Sequence, residues 1–485
     1  MSNIAKKKNK ITIEFIGNNA EMVTGSATLI SFEGRKILFE CGGIQEGKTI
    51  LENYKMNRKM LSKIKAKEID MIIGGHFQHY DHGGNVCAIV KQNPDIRVIT
   101  GINTIGILKE MWLDSAYISA RDCEILSKQY PDKKFIPYYT EEDVISTLGN
   151  VEEYVPGVIH KLDENVSIRY SYSGHIFGAM QCELFITINS RTSKILFTSD
   201  LGNIKTAEYK PFVQPFEPVY TANIVIAETT YGSRNNIHVT KKIIEEDLNK
   251  IKSVVDQFCK DNHRRVLFPV FSLDKCPNIL WLLYQMFKDD PDFKTKILID
   301  SPLTNRLLDR YSEVLSGDAK TKFDEMMSWR NIIRVINPEE SKRLQSTMNN
   351  ICILSSGGML QSGRSVRWAM DILPKSGDCI IFSGYCGVNT LGYKIKNFSE
   401  QKTINIGGKP CKNKCQIVSL KGQSSHRQRD DLINYYKSIN CEKIYLVHGE
   451  MNGKIEFAED LKKAISDVNR TTKVCVVNKS TTISL

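Results

Sequence analysis

The run MIIGGHFQHYDHGGN, residues 71–85, decides how this chain is to be read. Met71-Ile72-Ile73 has the character of a short buried strand, and the two glycines behind it free the backbone to turn. Between positions 76 and 82 stand His76, His79, Asp81 and His82, in a chain that has only 9 histidines. Imidazole nitrogen and carboxylate oxygen are zinc donors, and a catalytic zinc site keeps one position open for water.

The same pattern recurs downstream. His175 in YSGH, His426 in SSH and His448 in YLVHGE lie at or just after apolar strand-like runs, as do Asp200 in FTSD and Glu228 in AETT. Open α/β folds bind ligands at the carboxyl ends of their strands. One histidine at such an end is usually a satisfied structural residue, but so many histidines and carboxylates at these ends point to one shared centre. The tight His79-Tyr80-Asp81-His82 loop can aim one histidine at a first metal and an aspartate-histidine pair at a second, with Asp200 able to bridge. Two metals about 4 Å apart activate a water for attack on phosphorus or carbonyl carbon.

At 485 residues the chain exceeds one ordinary core, so two domains, or one domain carrying an insertion, are expected. Hydrophobic content of 41% and charged content of 25% belong to the globular class and exclude general disorder. No apolar run approaches the roughly 20 residues that span a bilayer. The basic N-terminal stretch MSNIAKKKNK is not followed by an apolar core or a cleavage site, so a cytoplasmic protein without membrane association is expected. The 13 cysteines, an odd number scattered along a long chain, suit reduced thiols better than a disulfide framework. A formal charge of +11 favours a polyanionic partner.

Strands alternate with helices throughout. KITIEFIG and SATLISFEGRKILFECGG have period-2, β-branched character, with a turn expected at Glu33-Gly34. VSIRYSYSGH, SKILFTSD and ANIVIAETT continue the strands, and HVTKKIIEEDLNKIKSVVDQFCK has a helical pattern. Then RRVLFPVF, KILIDSP, NICILSS and DCIIFSG read as short buried strands, each followed by a turn and helix-like sequence. The chain is α/β from end to end.

With these motifs in hand the chain resembles the metallo-β-lactamase superfamily, and within it the β-CASP nucleases of RNA processing and DNA repair. ILFECGG, YSGHIFGA, FTSDLGN, AETTYGSRNNIH, KGQSSHRQRDDL and YLVHGE occur in that family's order, and VLFPVFSL, ILIDSPLT, LSSGGMLQSGRS and FSGYCGVNTLGYKI resemble segments of its inserted domain. The resemblance implies a metallo-β-lactamase αββα sandwich built from residues 1–232 and 419–485, an α/β β-CASP domain at 233–418, and substrate in the cleft between them. It implies two zinc ions, with His79 and His175 on the first, Asp81, His82 and His448 on the second, and Asp200 bridging. Asp81, Glu228 and His426 would be catalytic, Glu228 orienting His426 and His426 protonating the leaving 3′ oxygen while activated water attacks phosphorus. The implied substrate is RNA, cut endonucleolytically; single-stranded DNA and a homodimer are further expectations that the family allows.

This sequence departs from the family pattern at several points. The family's loop reads His-x-His-x-Asp-His, whereas here one extra residue separates His76 from His79, so that Phe77 stands in the first histidine's register. Either a one-residue bulge returns His76 to the first metal, which is the favoured reading because a catalytic zinc prefers three protein ligands, or that metal has lost a ligand. Glu40 replaces the family's aspartate behind the site, and Gln428 replaces the aspartate after the motif histidine. Lys275 in FSLDKCPN is no equal substitute for a phosphate-gripping arginine. Ser355, Ser356 and Gly357 could present backbone amides to phosphate, and His238 could touch substrate. The alternatives to a nuclease are a catalytically silenced RNA-binding or scaffold subunit and, further off, a small-molecule metallohydrolase.

Overall fold

The computed structural model describes residues 10–236, 238–259, 264–361, 363–398, 400 and 402–485. Two compact units emerge. One comprises Met1–Gly202, Gln214–His238 and His426–Leu485; the other comprises Asn203–Val213 and Val239–Ser425.

The first unit is built on two seven-stranded sheets. One runs Thr482–Ser484, Thr12–Phe15, Thr28–Phe32, Arg35–Phe39, Met71–Ile73, Arg97–Gly101, Val151–Tyr154, antiparallel as far as Arg35–Phe39 and parallel beyond it. The other runs Lys473–Val476, Lys443–Val447, Ile224–Glu228, Arg191–Phe197, Met180–Ile188, Val166–Tyr172, His160–Lys161, parallel up to Arg191–Phe197 and antiparallel after it.

Side-chain alternation along a strand creates the layers. Ile37 and Phe39 point into the core between the sheets, while Leu38 joins an outer core with Leu108 and Trp112 of the helix Ile105–Gln129. On the other sheet Ile224 and Ile226 face inward, and Val225 and Ala227 pack outward against Tyr436, Phe457 and Leu461. The result is helix, sheet, sheet, helix, the αββα order expected from the resemblance. Phe39 and Phe197, each at the end of its strand, stack across the middle with centroids 3.7 Å apart. The expected turn joins Thr28–Phe32 to Arg35–Phe39 in two residues. Glu33 and Gly34 both have positive φ, 45° and 83°, the mirror-image turn whose twist matches a hairpin.

The second unit centres on a six-stranded all-parallel sheet in the order Ile332–Val335, Lys296–Asp300, Ile351–Ser356, Arg265–Val270, Cys379–Phe382, Gln416–Ser419. The strands are near-continuous apolar runs because helices cover a parallel sheet on its faces. Helix starts in this unit carry legible signals: Ser301 caps Pro302–Val314 by accepting the Thr304 amide at 3.1 Å, and Asn337 caps Pro338–Thr347 at the Glu339 amide, 2.8 Å. Among the described residues no helix is long and apolar enough to cross a membrane, and no disulfide joins the described cysteines.

Candidate metal centre

The residues singled out in the sequence converge at one end of the first unit's two sheets. The strand Met71–Ile73 delivers the histidine loop, Arg191–Phe197 leads to Asp200, Ile224–Glu228 ends on Glu228, and Lys443–Val447 leads to His448. Glu40, Ser199 and His448, each just past the end of a strand, have left-handed backbone with φ of 60°, 44° and 53°. Such a conformation costs a non-glycine residue roughly 1–2 kcal/mol, and strain of this kind gathers at functional sites.

The extra residue of the loop is taken up as a turn. The His79 amide donates to the His76 carbonyl at 3.3 Å, and His79 then begins the short helix Tyr80–Gly83. Phe77 drops into the outer core, 1% exposed, and Gln78 is buried with its Nε2 donating to the Phe177 carbonyl at 3.1 Å. Glycines make the turn fit: a Cβ on Gly74 would stand 2.2 Å from the Phe77 ring, and one on Gly83 2.1 Å from the Phe77 carbonyl.

This folding sets His76 and His79 apart. His76 is completely buried, with Nε2 3.9 Å from Asp200 Oδ2, and the ring centroids of His175 and His82 lie 5.3 Å and 4.7 Å away. The His79 side chain remains 46% exposed, and its Nδ1 is bonded to Asp81 Oδ1. His79 is thus the one expected ligand that lies outside the two close groupings.

Those groupings share Asp200. Asp81, His82, Asp200 and His448 form one, and His76, His175 and Asp200 form the other; within each, the candidate ligand atoms lie within 4.8 Å of one another. Asp200 Oδ1 lies 3.1 Å from His448 Nε2, while Oδ2 lies 3.3 Å from His82 Nε2 and 3.6 Å from His175 Nε2. One carboxylate reaches into both sets.

The donor set fits metal. His76 Nδ1 and Nε2 are buried atoms for which the protein supplies no hydrogen-bond partner. Buried polar atoms left this way are expensive, and a cation bound there lowers the cost. Burial and the neighbouring His82 also depress the His76 pKa well below the ordinary histidine value, which favours a neutral ring with one nitrogen lone pair available. Around Asp200, burial disfavours the charge, but His448 and His82 outweigh it and hold the carboxyl well below its usual range.

A further layer holds the ligands still. Glu40 Oε2 accepts from His82 Nδ1 at 2.7 Å and from Ser26 Oγ at 2.6 Å, and its Oε1 accepts from Ser199 Oγ at 2.9 Å. The longer acid therefore still makes the hydrogen bond behind the site, to His82. Burial opposes charge on His82, but Glu40 and Asp200 outweigh it and raise its pKa well above normal. Ser26 and Ser199 were not singled out from the sequence; Ser199, directly before Asp200, carried the only local signal.

Glu228 is buried, and its two oxygens accept the Leu201 amide at 3.2 Å and the Thr230 amide at 2.7 Å. Burial, and then the charge of Asp200, push its pKa up to about 8. The His426 ring packs 4.4 Å from that of His175 and edge-on to Tyr231, and burial drives its pKa down to about 4. Gly202 and His426 form an isolated antiparallel bridge, which fixes the His426 backbone beside the Asp200 loop.

The expected substrate residues fall in two places. In the second unit Ser355 is fully buried and its hydroxyl donates to the Asp300 carbonyl at 3.0 Å, bracing that loop. Ser356 and Gly357 are partly exposed at the strand's end, Gly357 with φ of 100°. In the first unit His238 is exposed, its Nδ1 3.0 Å from Asp430 Oδ2, and it lines an open pocket with Arg234, Asn236, Gln428 and Arg429.

Comparison with known proteins adds family evidence. A Beta-Casp domain model matches residues 277–395, and a model described as a Zn-dependent metallo-hydrolase RNA specificity domain matches residues 412–471. Ribonuclease TTHA0252 of Thermus thermophilus is 25% identical over 89% of this chain and 91% of its own length. Transcription termination factor FttA of Methanocaldococcus jannaschii is 23% identical over 93% of this chain and 69% of its own length. Cleavage and polyadenylation specificity factor 73 of Drosophila melanogaster is 26% identical over 88% of this chain and 58% of its own length. A crystal structure of a protein of unknown function from Enterococcus faecalis V583 shares the fold, with a TM-score of 0.55 at 13% identity, covering 98% of this chain and 100% of that one.

Proposed function

As a member of the β-CASP branch of the metallo-β-lactamase superfamily, this chain is, we propose, a zinc-dependent ribonuclease of the cytoplasm that cuts RNA endonucleolytically. In this reading the first unit is the lactamase-like domain and the second the β-CASP domain. The observation that carries the reading is the pair of ligand sets meeting on Asp200.

His76, His175 and Asp200 would hold one ion, and Asp81, His82, Asp200 and His448 the other. Two bound zinc ions would supply Lewis acidity that activates water and stabilises charge on the phosphoryl oxygens. Asp200 would belong to both sites, since its carboxylate lies within 4 Å of histidines from each set. Glu40 accepts the proton on His82 Nδ1 and so directs Nε2 toward the centre. Glu228 holds the amides of Leu201 and Thr230, which ties the turn bearing Asp200 to the end of its own strand. His426 would deliver a proton to the leaving 3′ oxygen, giving a 5′ phosphate and a 3′ hydroxyl; the anionic phosphodiester beside it opposes the effect of burial and raises its proton affinity toward neutral pH. The net charge of +11 suits the substrate and makes binding salt-dependent.

The test is cleavage of a labelled single-stranded RNA, beside a DNA of the same sequence, by zinc-loaded protein. The parent is expected to cut the RNA and to lose activity on chelation, and His426→Ala to slow cleavage about 10²- to 10⁴-fold with zinc retained. A zinc-loaded parent that binds RNA but leaves it intact would move the protein to the silenced-subunit reading, for which the outward His79 is the supporting observation.

A further inference from the structure

We propose that Asn19 is a positioning residue of the metal centre, linking the backbone of His448 to the ring of His82. The inference rests on reading the His/Asp cluster as a metal site, and it concerns a residue that belongs to neither ligand set.

Asn19 lies in the short turn Asn18–Ala20 and is 3% exposed. Its carbonyl accepts the His448 amide at 2.8 Å, at a residue whose backbone is held left-handed with φ of 53°. Its side-chain Nδ2 donates to Ser26 Oγ at 3.2 Å, Ser26 Oγ donates to Glu40 Oε2 at 2.6 Å, and the same Glu40 oxygen accepts from His82 Nδ1 at 2.7 Å. An unbroken chain of hydrogen bonds therefore runs from one ligand of the Asp81, His82, Asp200 and His448 set to another. The turn cannot easily slide, because buried Lys454 donates through Nζ to the Ala20 carbonyl and, at 2.8 Å, to the Val477 carbonyl.

The other face of the Asn19 amide meets a cavity of about 20 Å³ behind the ligands, lined also by Glu40, His82, Glu228 and His448. His448 turns Nε2 toward Asp200 Oδ1, 3.1 Å away. His448 Nδ1 and Asn19 Oδ1 are both buried without a protein partner. Both residues line this one cavity, whose volume exceeds the roughly 10–15 Å³ that a single water needs. An amide suits this position because it supplies a donor to Ser26 and an acceptor to the cavity at once.

The test uses the full chain and zinc alone. Zinc affinity is measured by competition with a chromophoric chelator for the parent, Asn19→Leu, Ser26→Ala and the double variant, and the histidine ¹⁵N signals of each zinc-loaded protein are recorded. Asn19→Leu is expected to weaken one zinc tenfold or more and to shift the signals of both His82 and His448. The double variant is expected to be little weaker than the singles, since both changes break one path. Affinity within twofold of the parent, additive losses, or a shift confined to one histidine overturns the proposal. If Asn19→Leu does not fold, Asn19→Ser completes the same cycle. A parent that takes up no zinc defeats the metal-site reading itself, whereas a parent that binds zinc but cuts no RNA defeats the proposed activity and leaves this inference standing.

Discussion

Replacing Glu40 by glutamine should weaken zinc binding about 10- to 100-fold while leaving the fold intact. In the parent both carboxylate oxygens are in use: one accepts from His82 Nδ1 at 2.7 Å and Ser26 Oγ at 2.6 Å, the other from Ser199 Oγ at 2.9 Å. Glutamine offers one oxygen and one NH₂ in the same space: with the oxygen toward His82 and Ser26, the NH₂ meets Ser199, whose hydroxyl must turn from donor to acceptor, and the charge assistance of the bond to His82 is lost. Hydrogen bonds to a charged group contribute about 1.5–3 kcal/mol each, and the loss of one matches the 10- to 100-fold cost usual for the partner of a metal-ligating histidine. Removing a buried negative charge next to Asp200 offsets part of the loss in the metal-free protein, so the effect should appear in zinc affinity more than in thermal stability. Competition with a chromophoric chelator measures the first, and thermal unfolding of the chelated protein the second. Zinc affinity within twofold of the parent would refute the view that Glu40 sets the His82 ring.

Other consequences are equally open to measurement. Burial, and then the nearby Lys210 charge, bring the Lys275 pKa down to about 7 from the ordinary lysine value of 10.5. Between those values the unfolded chain holds a proton that the folded one lacks, so stability rises with pH across that window and the penalty is fully present below it. Lys275→Met should therefore stabilise the protein more at pH 6 than at pH 10, by a difference on the order of 4 kcal/mol at 1.36 kcal/mol per unit, and equal effects at the two pH values would contradict this. Phe77→Ala empties a fully buried site under the histidine turn and should cost about 3–5 kcal/mol in urea unfolding; a cost below about 1 kcal/mol would show that the ring is not what anchors the turn. RNA affinity should fall steeply with salt, by about 0.7 log units per log unit of salt for each phosphate neutralised, and a flat salt profile would remove the electrostatic case for a nucleic-acid partner.

Much of the arrangement was legible because it is periodic or local. The hairpin of residues 28–39 announced itself through alternating apolar positions around Glu33-Gly34, and the site residues through their place at the ends of apolar strands. What spacing could not decide was how the extra residue between His76 and His79 would be absorbed. That depended on whether Phe77 could leave the site for the core, which it does in space left by Gly74 and Gly83. Backbone amides were the groups expected of Ser355, Ser356 and Gly357, and spacing carried no sign that the Ser355 hydroxyl would turn inward onto the Asp300 carbonyl. Asn19 gave no signal at all, since its partner His448 lies near the far end of the chain and the contact is through backbone atoms, which carry no sequence pattern.

The most direct measurement is elemental analysis of zinc per chain in the parent, His76→Ala and His79→Ala, with cleavage of single-stranded RNA assayed on the same samples. Two zincs and cleavage in the parent, loss of one zinc and of cleavage in His76→Ala, and retention of both zincs in His79→Ala are the predicted results. A parent with fewer than two zincs, or a His79→Ala that loses the metal while His76→Ala keeps it, would contradict the assignment of the centre.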